Sequence, residues 1–139
     1  MNQEITQIKK ALFQAISKNW NETKIYWQES HQEPSSDFWA NIHVLTFRKI
    51  ADRGVYRRYE GTFSFSIFST DLSNIYILDQ LVDKFLRLFQ NSTINKTPVA
   101  LKIQEAEIIA LENQENQKKV EKTISYRVIT LDFFADITE

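Results

Sequence analysis

Two histidines are the side chains of this sequence best suited to exchanging a proton near neutral pH. His31 lies close to Glu29, Glu33 and Asp37 in a polar segment, and His43 lies within an alternating, strand-like segment. One histidine among loop carboxylates is a poor match for the closed ligand sets that zinc and iron prefer. We therefore expect no metal site, and we expect His43 to be a half-buried structural residue.

Paired carboxylates are the second feature with a chemical use. Glu105 and Glu107 are two residues apart, so both should lie on one face of a strand, and Asp132 and Asp136 form a second pair. A glycosidase needs two carboxyl groups that face each other across a cleft, usually from different elements. A solvated strand face is the simpler interpretation. We expect no catalytic residue and no enzyme activity.

Composition narrows the alternatives further. The chain has 139 residues, a formal net charge of −1, no cysteine and two glycines. Disulfides and thiolate zinc sites are therefore excluded, and the glycine-rich loops that bind phosphates of nucleotide cofactors cannot be formed. We expect no cofactor. The length predicts one domain, residues 1–139. The absence of a signal peptide and of an apolar run of about 20 residues predicts a soluble intracellular protein that does not cross a membrane.

Apolar periodicity predicts the elements that must position these residues. The predicted order is α-β-β-β-α-β-β, an α+β fold in which a mostly antiparallel sheet of about five strands packs with two helices. Apolar residues at helical spacing predict helices at about 3–18 and 72–90. Shorter or alternating patterns predict strands at about 23–27, 38–50, 55–68, 99–111 and 120–136. Residues 28–37, 91–98 and 112–119 read as polar connections. We expect Phe85 and Leu81 of the second helix to contact Phe63 and Phe65.

A dense group of basic and aromatic residues lies around the turn of the first predicted hairpin. Its members are Arg48, Lys49, Arg53, Tyr56, Arg57, Arg58 and Tyr59. The second predicted hairpin carries an acidic group, which consists of Glu105, Glu107, Glu112 and Glu115. Two opposite patches on a nearly neutral domain suit head-to-tail self-association.

Three interpretations of the basic group stay open at this stage. It can be a solvated hairpin whose charges prevent aggregation of the sheet edge. It can form a contact with another protein, because arginine and tyrosine favour interfaces. It can also bind nucleic acid, with cations on phosphates and rings on bases. We expect the hairpin tip, Arg48 to Arg58, to project from the body and to contact a neighbouring subunit or another protein. We also expect the chain to stay folded, with an unchanged melting curve, when Arg57 and Arg58 are both changed to Glu.

The order of these patterns resembles a known family. An amphipathic helix precedes a short aromatic strand, Ile25 to Trp27, and a long hairpin from Phe38 to Phe68 follows. The passage from strand to helix, Phe65 to Asp71, matches best. This arrangement is similar to the tail terminator, or tail completion, proteins of long-tailed bacteriophages and of prophage elements in low-GC Gram-positive bacteria.

The resemblance implies a structural virion protein without catalytic residues. Such proteins form a homo-oligomeric ring, usually hexameric, that caps the tail tube, ends its polymerisation and offers a surface for head joining. The implied partners are copies of the chain, the tail tube protein and a head-completion or neck protein. The implied location is the host cytoplasm during assembly and then the head-proximal end of the tail. The alternatives are another head–tail joining protein, or an accessory protein that binds nucleic acid through residues 48–59; the preferred hypothesis includes no specific nucleic acid and no membrane.

Overall fold

A computed structural model describes residues 3–27, 38–70, 76–114 and 124–138. These residues form two helices and six strands. The elements in chain order are α1 (Glu4–Asn19), β1 (Lys24–Trp27), β2 (Phe38–Asp52), β3 (Tyr56–Ser69), α2 (Tyr76–Phe89), β4 (Thr93–Lys96), β5 (Val99–Gln114) and β6 (Ile124–Thr138). The predicted loop at residues 28–37, the predicted start of the second helix and most of the predicted tip at 112–119 lie outside the described residues.

The six strands form one sheet in the order β1-β2-β3-β6-β5-β4. The predicted α+β class with two helices is confirmed, but the sheet is mixed and has six strands, where a mostly antiparallel sheet of about five strands was predicted. β1 runs parallel to β2, with Ile25 opposite Ala40, whereas the other neighbouring strands are antiparallel. The additional strand, β4, lies in the segment predicted as a polar connection. Its backbone pairs with the beginning of β5, and such pairing does not require apolar side chains.

One face of the sheet forms the core. The clean alternation of β3 buries Phe63, Phe65 and Ile67 completely, because every second side chain of a strand points to the same side. β6 pairs with β3 and buries Leu131 opposite Phe63 in the same way. We call this side the inner face. Its other buried apolar members include Ala40, Ile42, Val99, Leu101, Ile103, Ile129, Phe133, Ala135 and Ile137.

Both helices cover the inner face. α1 buries Ile8, Leu12 and Ile16 at helical spacing, and α2 buries Leu78, Val82, Phe85 and Phe89. The ring of Phe85 stacks on that of Phe65 with 4.1 Å between centroids. The predicted contact between Phe85 and Phe65 is therefore confirmed, and Leu81 packs against the same core while partly buried. Neither described helix is long and apolar enough to cross a membrane.

The opposite side of the sheet, which we call the uncovered face, carries the side chains that alternate with the core residues. Neither described helix lies on it, and its side chains are partly exposed along the whole of β3. Trp39 stacks on Phe68 with 5.4 Å between centroids, and Phe68 contacts Tyr126 at one end of the strands. Serine and threonine occupy the middle, and charged side chains occupy the other end.

Candidate functional site

The basic group predicted from the sequence lies at the end of the β2–β3 hairpin. Strand pairing holds this hairpin in the sheet almost to its turn, since Asp52 pairs with Arg57 and Tyr56 of β3 pairs with Thr138 of β6. Gly54 adopts a positive φ of 75° in the turn, where a glycine is favoured. The expectation that the whole tip projects from the body is therefore wrong. Only the turn itself extends past the paired strands.

Arg57 points to the inner face, where it forms an ion pair with the first turn of α1. The distance from Arg57 Nε to Glu4 Oε1 is 2.8 Å, and both side chains are more than nine-tenths buried. The hydroxyl of Tyr59 donates to the same Glu4 oxygen at 3.2 Å. Burial and the nearby Glu4 charge raise the pKa of the Tyr59 hydroxyl. These two members of the basic group thus fasten α1 to the sheet and are not available to a partner.

Arg58 and Tyr56 lie on the uncovered face and share one acceptor, Asp136. Arg58 Nε donates to Asp136 Oδ1 at 2.6 Å, and the Tyr56 hydroxyl donates to the same oxygen at 3.0 Å. The Arg58 hydrogen bond holds the pKa of the Asp136 carboxyl below its ordinary value. The guanidinium carbon also lies 5.1 Å from the centre of the Phe134 ring. This arrangement is half-exposed and leaves an accessible charged surface.

Three further cations occupy β2 and the turn, and all are exposed. Arg48 forms an ion pair with Glu60 across the strands. Lys49 Nζ lies 3.3 Å from Asp52 Oδ2, which raises the pKa of Lys49. The pKa of Asp52 is lowered by the backbone N–H of Gly54 and by Lys49. Arg53 lies in the turn itself. Exposed pairs of this kind contribute little stability, so their cations stay accessible to another molecule.

The predicted acidic group is spread along β5. Glu105 and Glu107 are exposed there. Glu112 is also a residue of β5, and Glu115 lies outside the described residues. Glu107 shares a hydrogen bond with Asp132 on the neighbouring strand. Because Asp132 also repels its charge, the pKa of Glu107 is raised above its ordinary value. In the sheet, β3 and β6 separate the acidic residues of β5 from the exposed cations of β2.

A cleft of about 680 Å³ crosses the uncovered face between these two groups. Its lining consists of Thr46, Phe47, Arg48, Glu60, Gly61, Thr62, Gln104, Glu107, Asp132, Phe133 and Phe134. Thr62 Oγ1 donates to Asp132 Oδ1 at 2.7 Å inside it. One carboxylate of each pair from the sequence, Glu107 and Asp132, thus lies in this shallow polar cleft beside hydroxyl and guanidinium groups, whereas Glu105 and Asp136 do not line it.

The histidines do not join this cleft within the described part of the chain. His43 is half-buried in β2 opposite Ser64 of β3, in agreement with its predicted structural place. His31 lies outside the described residues. Within residues 3–27, 38–70, 76–114 and 124–138, no three histidine or carboxylate side chains lie close enough together to hold a metal ion.

Sequence reasoning missed the partners of the basic group. Glu4 and Asp136 are 53 and 78 residues away from the arginines they bind. The burial of Arg57 and Tyr59 could have been predicted from the sequence. Both lie an even number of residues before Phe63 and Phe65, so the alternation of β3 places them on the same face as these rings. No comparable signal in the sequence pointed to Glu4.

Comparison with known proteins adds information on the fold alone. No protein-family model matches the chain. No curated protein matches it significantly. Eighteen chains of solved structures are similar to it. One of them has a TM-score of 0.60 and 14% identity, with 99% of this chain and 98% of the other covered, and its name does not describe a function. At this identity the likeness concerns the fold.

Proposed function

We propose that this protein is a structural component of a phage or prophage tail, of the tail terminator type. Identical copies form a ring, usually hexameric in such proteins, at the head-proximal end of the tail tube. The ring ends polymerisation of the tube and offers a surface for head joining. The proposal assigns no catalytic residue and no cofactor, and its partners are the chain itself, the tube protein and a neck protein.

The uncovered face of the sheet is the observation that carries this proposal. Strands of 14 to 16 residues present one side to the helices and the other side to solvent. Half-exposed aromatic side chains gather at one end of that face, at Trp39, Phe68 and Tyr126. Half-exposed aromatic residues beside polar ones are typical of protein contact surfaces. Such a face suits a protein that acts by contact with other subunits, as the resemblance of the element order also implies.

The alternative of an accessory protein that binds nucleic acid has weaker support. Four of the five basic residues of the hairpin form ion pairs within the chain, at Arg48–Glu60, Lys49–Asp52, Arg57–Glu4 and Arg58–Asp136. Arg57 is buried in its pair with Glu4, and Tyr59 is buried beside it, so only part of the basic and aromatic group is open to phosphates and bases. Another head–tail joining protein remains the second candidate because it would use the same kind of surface.

The decisive experiment measures tube length. Purified tube protein of the element that encodes this chain is polymerised with and without the chain, and tubes are measured by electron microscopy. We expect shorter tubes that carry a ring at one end. Tubes of unchanged length at a saturating concentration of the chain would overturn the proposal. Binding to short DNA, with an affinity that falls with salt as steeply as several phosphate contacts require, would favour the accessory protein instead.

A further inference from the structure

Two strands of the sheet have an edge that is only partly occupied. β1 pairs with β2 as far as Ile42, although β2 continues to Asp52. On the other side, β4 and residues 90–92 bond to β5 as far as Ala106, although β5 continues to Gln114. Within the part of the chain that the structure describes, no strand lies beside residues 44–52 or 107–114 on their outer side. We call these stretches the β2 free edge and the β5 free edge.

Both free edges expose large apolar side chains. Leu45 and Ile50 of the β2 free edge occur where the register with β3 shifts, and they are 53% and 41% exposed. Ile109 of the β5 free edge is 43% exposed. Charges and β-bulges limit unwanted pairing of an edge, and the β2 free edge has both. An unpaired edge that also exposes large apolar side chains remains a template for pairing with another strand.

The charges of the two free edges are opposite. Arg48 and Lys49 lie on the β2 free edge, with Arg53 next to it in the turn. Glu107 lies on the β5 free edge, with Glu105 just before it. Pairing of two β2 edges or of two β5 edges would bring like charges together, whereas pairing of a β2 edge with a β5 edge brings opposite charges together. The charges therefore select a head-to-tail contact, which closes into a ring when the rotation permits.

Strand direction is compatible with the same contact. β2, β3, β6 and β5 are successive neighbours and each pair is antiparallel, so β5 runs opposite to β2. In a cyclic ring every copy keeps the same direction along the axis. A β2 edge would then meet the β5 edge of the next copy in antiparallel orientation. Because the two free edges lie at opposite ends of the strands, pairing also requires the tilted, staggered strands of a closed barrel.

We propose that the β2 free edge of one copy pairs with the β5 free edge of the next copy, so that the sheet continues from subunit to subunit. The occupant of each edge is a second copy of this chain. The inference rests on the proposed function for the closure of the ring, whereas the pairing itself can be tested without a tube.

Engineered cysteines provide the first test, because the chain has none of its own. The variants L45C and I109C are purified separately, mixed, and treated with a short thiol-to-thiol crosslinker. We expect several times more crosslinked dimer in the mixture than in either variant alone, and a ladder of oligomers from the double variant. Y76C mixed with L88C, two exposed positions of α2, is the matched control. A yield in the L45C and I109C mixture that does not exceed this control would overturn the pairing.

Charge exchange provides the second test. The variants R48E/K49E and E105K/E107K should each lose at least about tenfold in self-association, and the chain with all four changes should recover it. D83K/R87E on exposed positions of α2 is the matched control. Thermal melting checks that every variant is folded. Loss without recovery in the fourfold variant would overturn the pairing.

The outcomes separate the two proposals. Rings that form normally in the charge variants, without crosslinking between residues 45 and 109, overturn the edge pairing and leave the proposed function intact. Crosslinking between the two edges with unchanged tube length supports the pairing and overturns the tail function.

Discussion

Arg57 and Arg58 are adjacent in β3 and have opposite environments. Arg57 lies under α1 in an ion pair with Glu4, and the two side chains are 9% and 7% exposed. Arg58 lies on the uncovered face in an ion pair with Asp136, and these side chains are 39% and 26% exposed. The alternation of a strand divides one basic cluster of the sequence into a structural half and a surface half.

The division changes what each arginine contributes. A buried pair that loses one partner leaves an uncompensated charge in the core, whereas an exposed pair exchanges its partner for water. The expectation that the chain keeps its stability when Arg57 and Arg58 are both reversed is therefore inconsistent with the structure. Reversal of Arg57 would place a second carboxylate beside Glu4. Surface roles are better tested at Arg48, Lys49 and Arg58.

The difference between the inner and uncovered faces is tested most strongly by removing one ring from each. Phe85→Ala opens a cavity against Phe65 and should cost about 3–5 kcal/mol of the free energy of unfolding. Trp39→Ala removes a half-exposed ring from its stack on Phe68 and should cost about 1 kcal/mol. Urea denaturation measures both. Equal losses would mean that the two faces are packed alike.

The next largest expected effect is the difference in stability cost between substitutions of Arg57 and of Arg58. Arg57→Met should cost about 3 kcal/mol because Glu4 stays buried without its partner, whereas Arg58→Met should cost less than about 1 kcal/mol. Adding Glu4→Leu to Arg57→Met should recover much of the loss, since no buried charge then remains. Chemical denaturation of the three variants measures these differences. A double variant as unstable as Arg57→Met would show that the cost comes from packing.

A substitution of Gly61 tests how tightly the inner face is packed. A Cβ atom added there would lie 2.7 Å from Phe133 Cζ and 2.7 Å from the Thr46 carbonyl oxygen. Gly61→Ala should therefore cost about 2 kcal/mol, and Phe133→Leu in the same chain should recover part of it. Gly54→Ala is the control, because its added Cβ meets nothing within 4 Å and its cost comes from the positive φ. Unfolding midpoints compare the variants. If Phe133→Leu recovers nothing, the Thr46 carbonyl is the limiting contact.

The smallest effect concerns pH on the uncovered face. Because Arg58 lowers the pKa of Asp136 in the folded chain, the pair contributes stability above the ordinary aspartate pKa of about 3.9 and loses it as pH falls through the lowered value. Arg58→Met should therefore flatten the acid part of the stability profile by less than about 1 kcal/mol. Denaturation at a series of pH values from 7 to below 3 measures this. A profile that is unchanged in the variant would contradict the assigned cause.

Periodicity was sufficient to predict the long elements. The alternation of Phe63, Phe65 and Ile67 and the helical spacing through Phe85 identified β3 and α2, because each buries one regular face in the core. β4 was not predicted because Thr93 and Lys96 are exposed, so the segment shows no apolar pattern. Backbone hydrogen bonds to β5 form this strand. The parallel pairing of β1 and β2 was not predicted because the sequence of a short strand does not specify its direction relative to its neighbour.

For the candidate site, the sequence predicted which residue types take part but not how they are arranged. The clustering of opposite charges was visible along the chain, and Arg48 and Glu107 do lie on the exposed part of the molecule. Which cations are neutralised within the chain depends on residues distant in sequence, such as Asp136. The free edges of β2 and β5 depend on how short β1 and β4 are, and this is a property of the assembled sheet.

The position of β6 between β3 and β5 also has a consequence for biosynthesis. Thr62 and Asp132 bond across 70 residues, and β3 has its second neighbour only after residue 138 has left the ribosome. Until then the hairpin of β2 and β3 and the pair of β4 and β5 lack the strand that joins them in the sheet. Topologies dominated by such distant pairings fold in about milliseconds to seconds and expose apolar strands meanwhile. The yield of native protein should therefore rise when the expression temperature is lowered, because association of exposed apolar surface weakens on cooling.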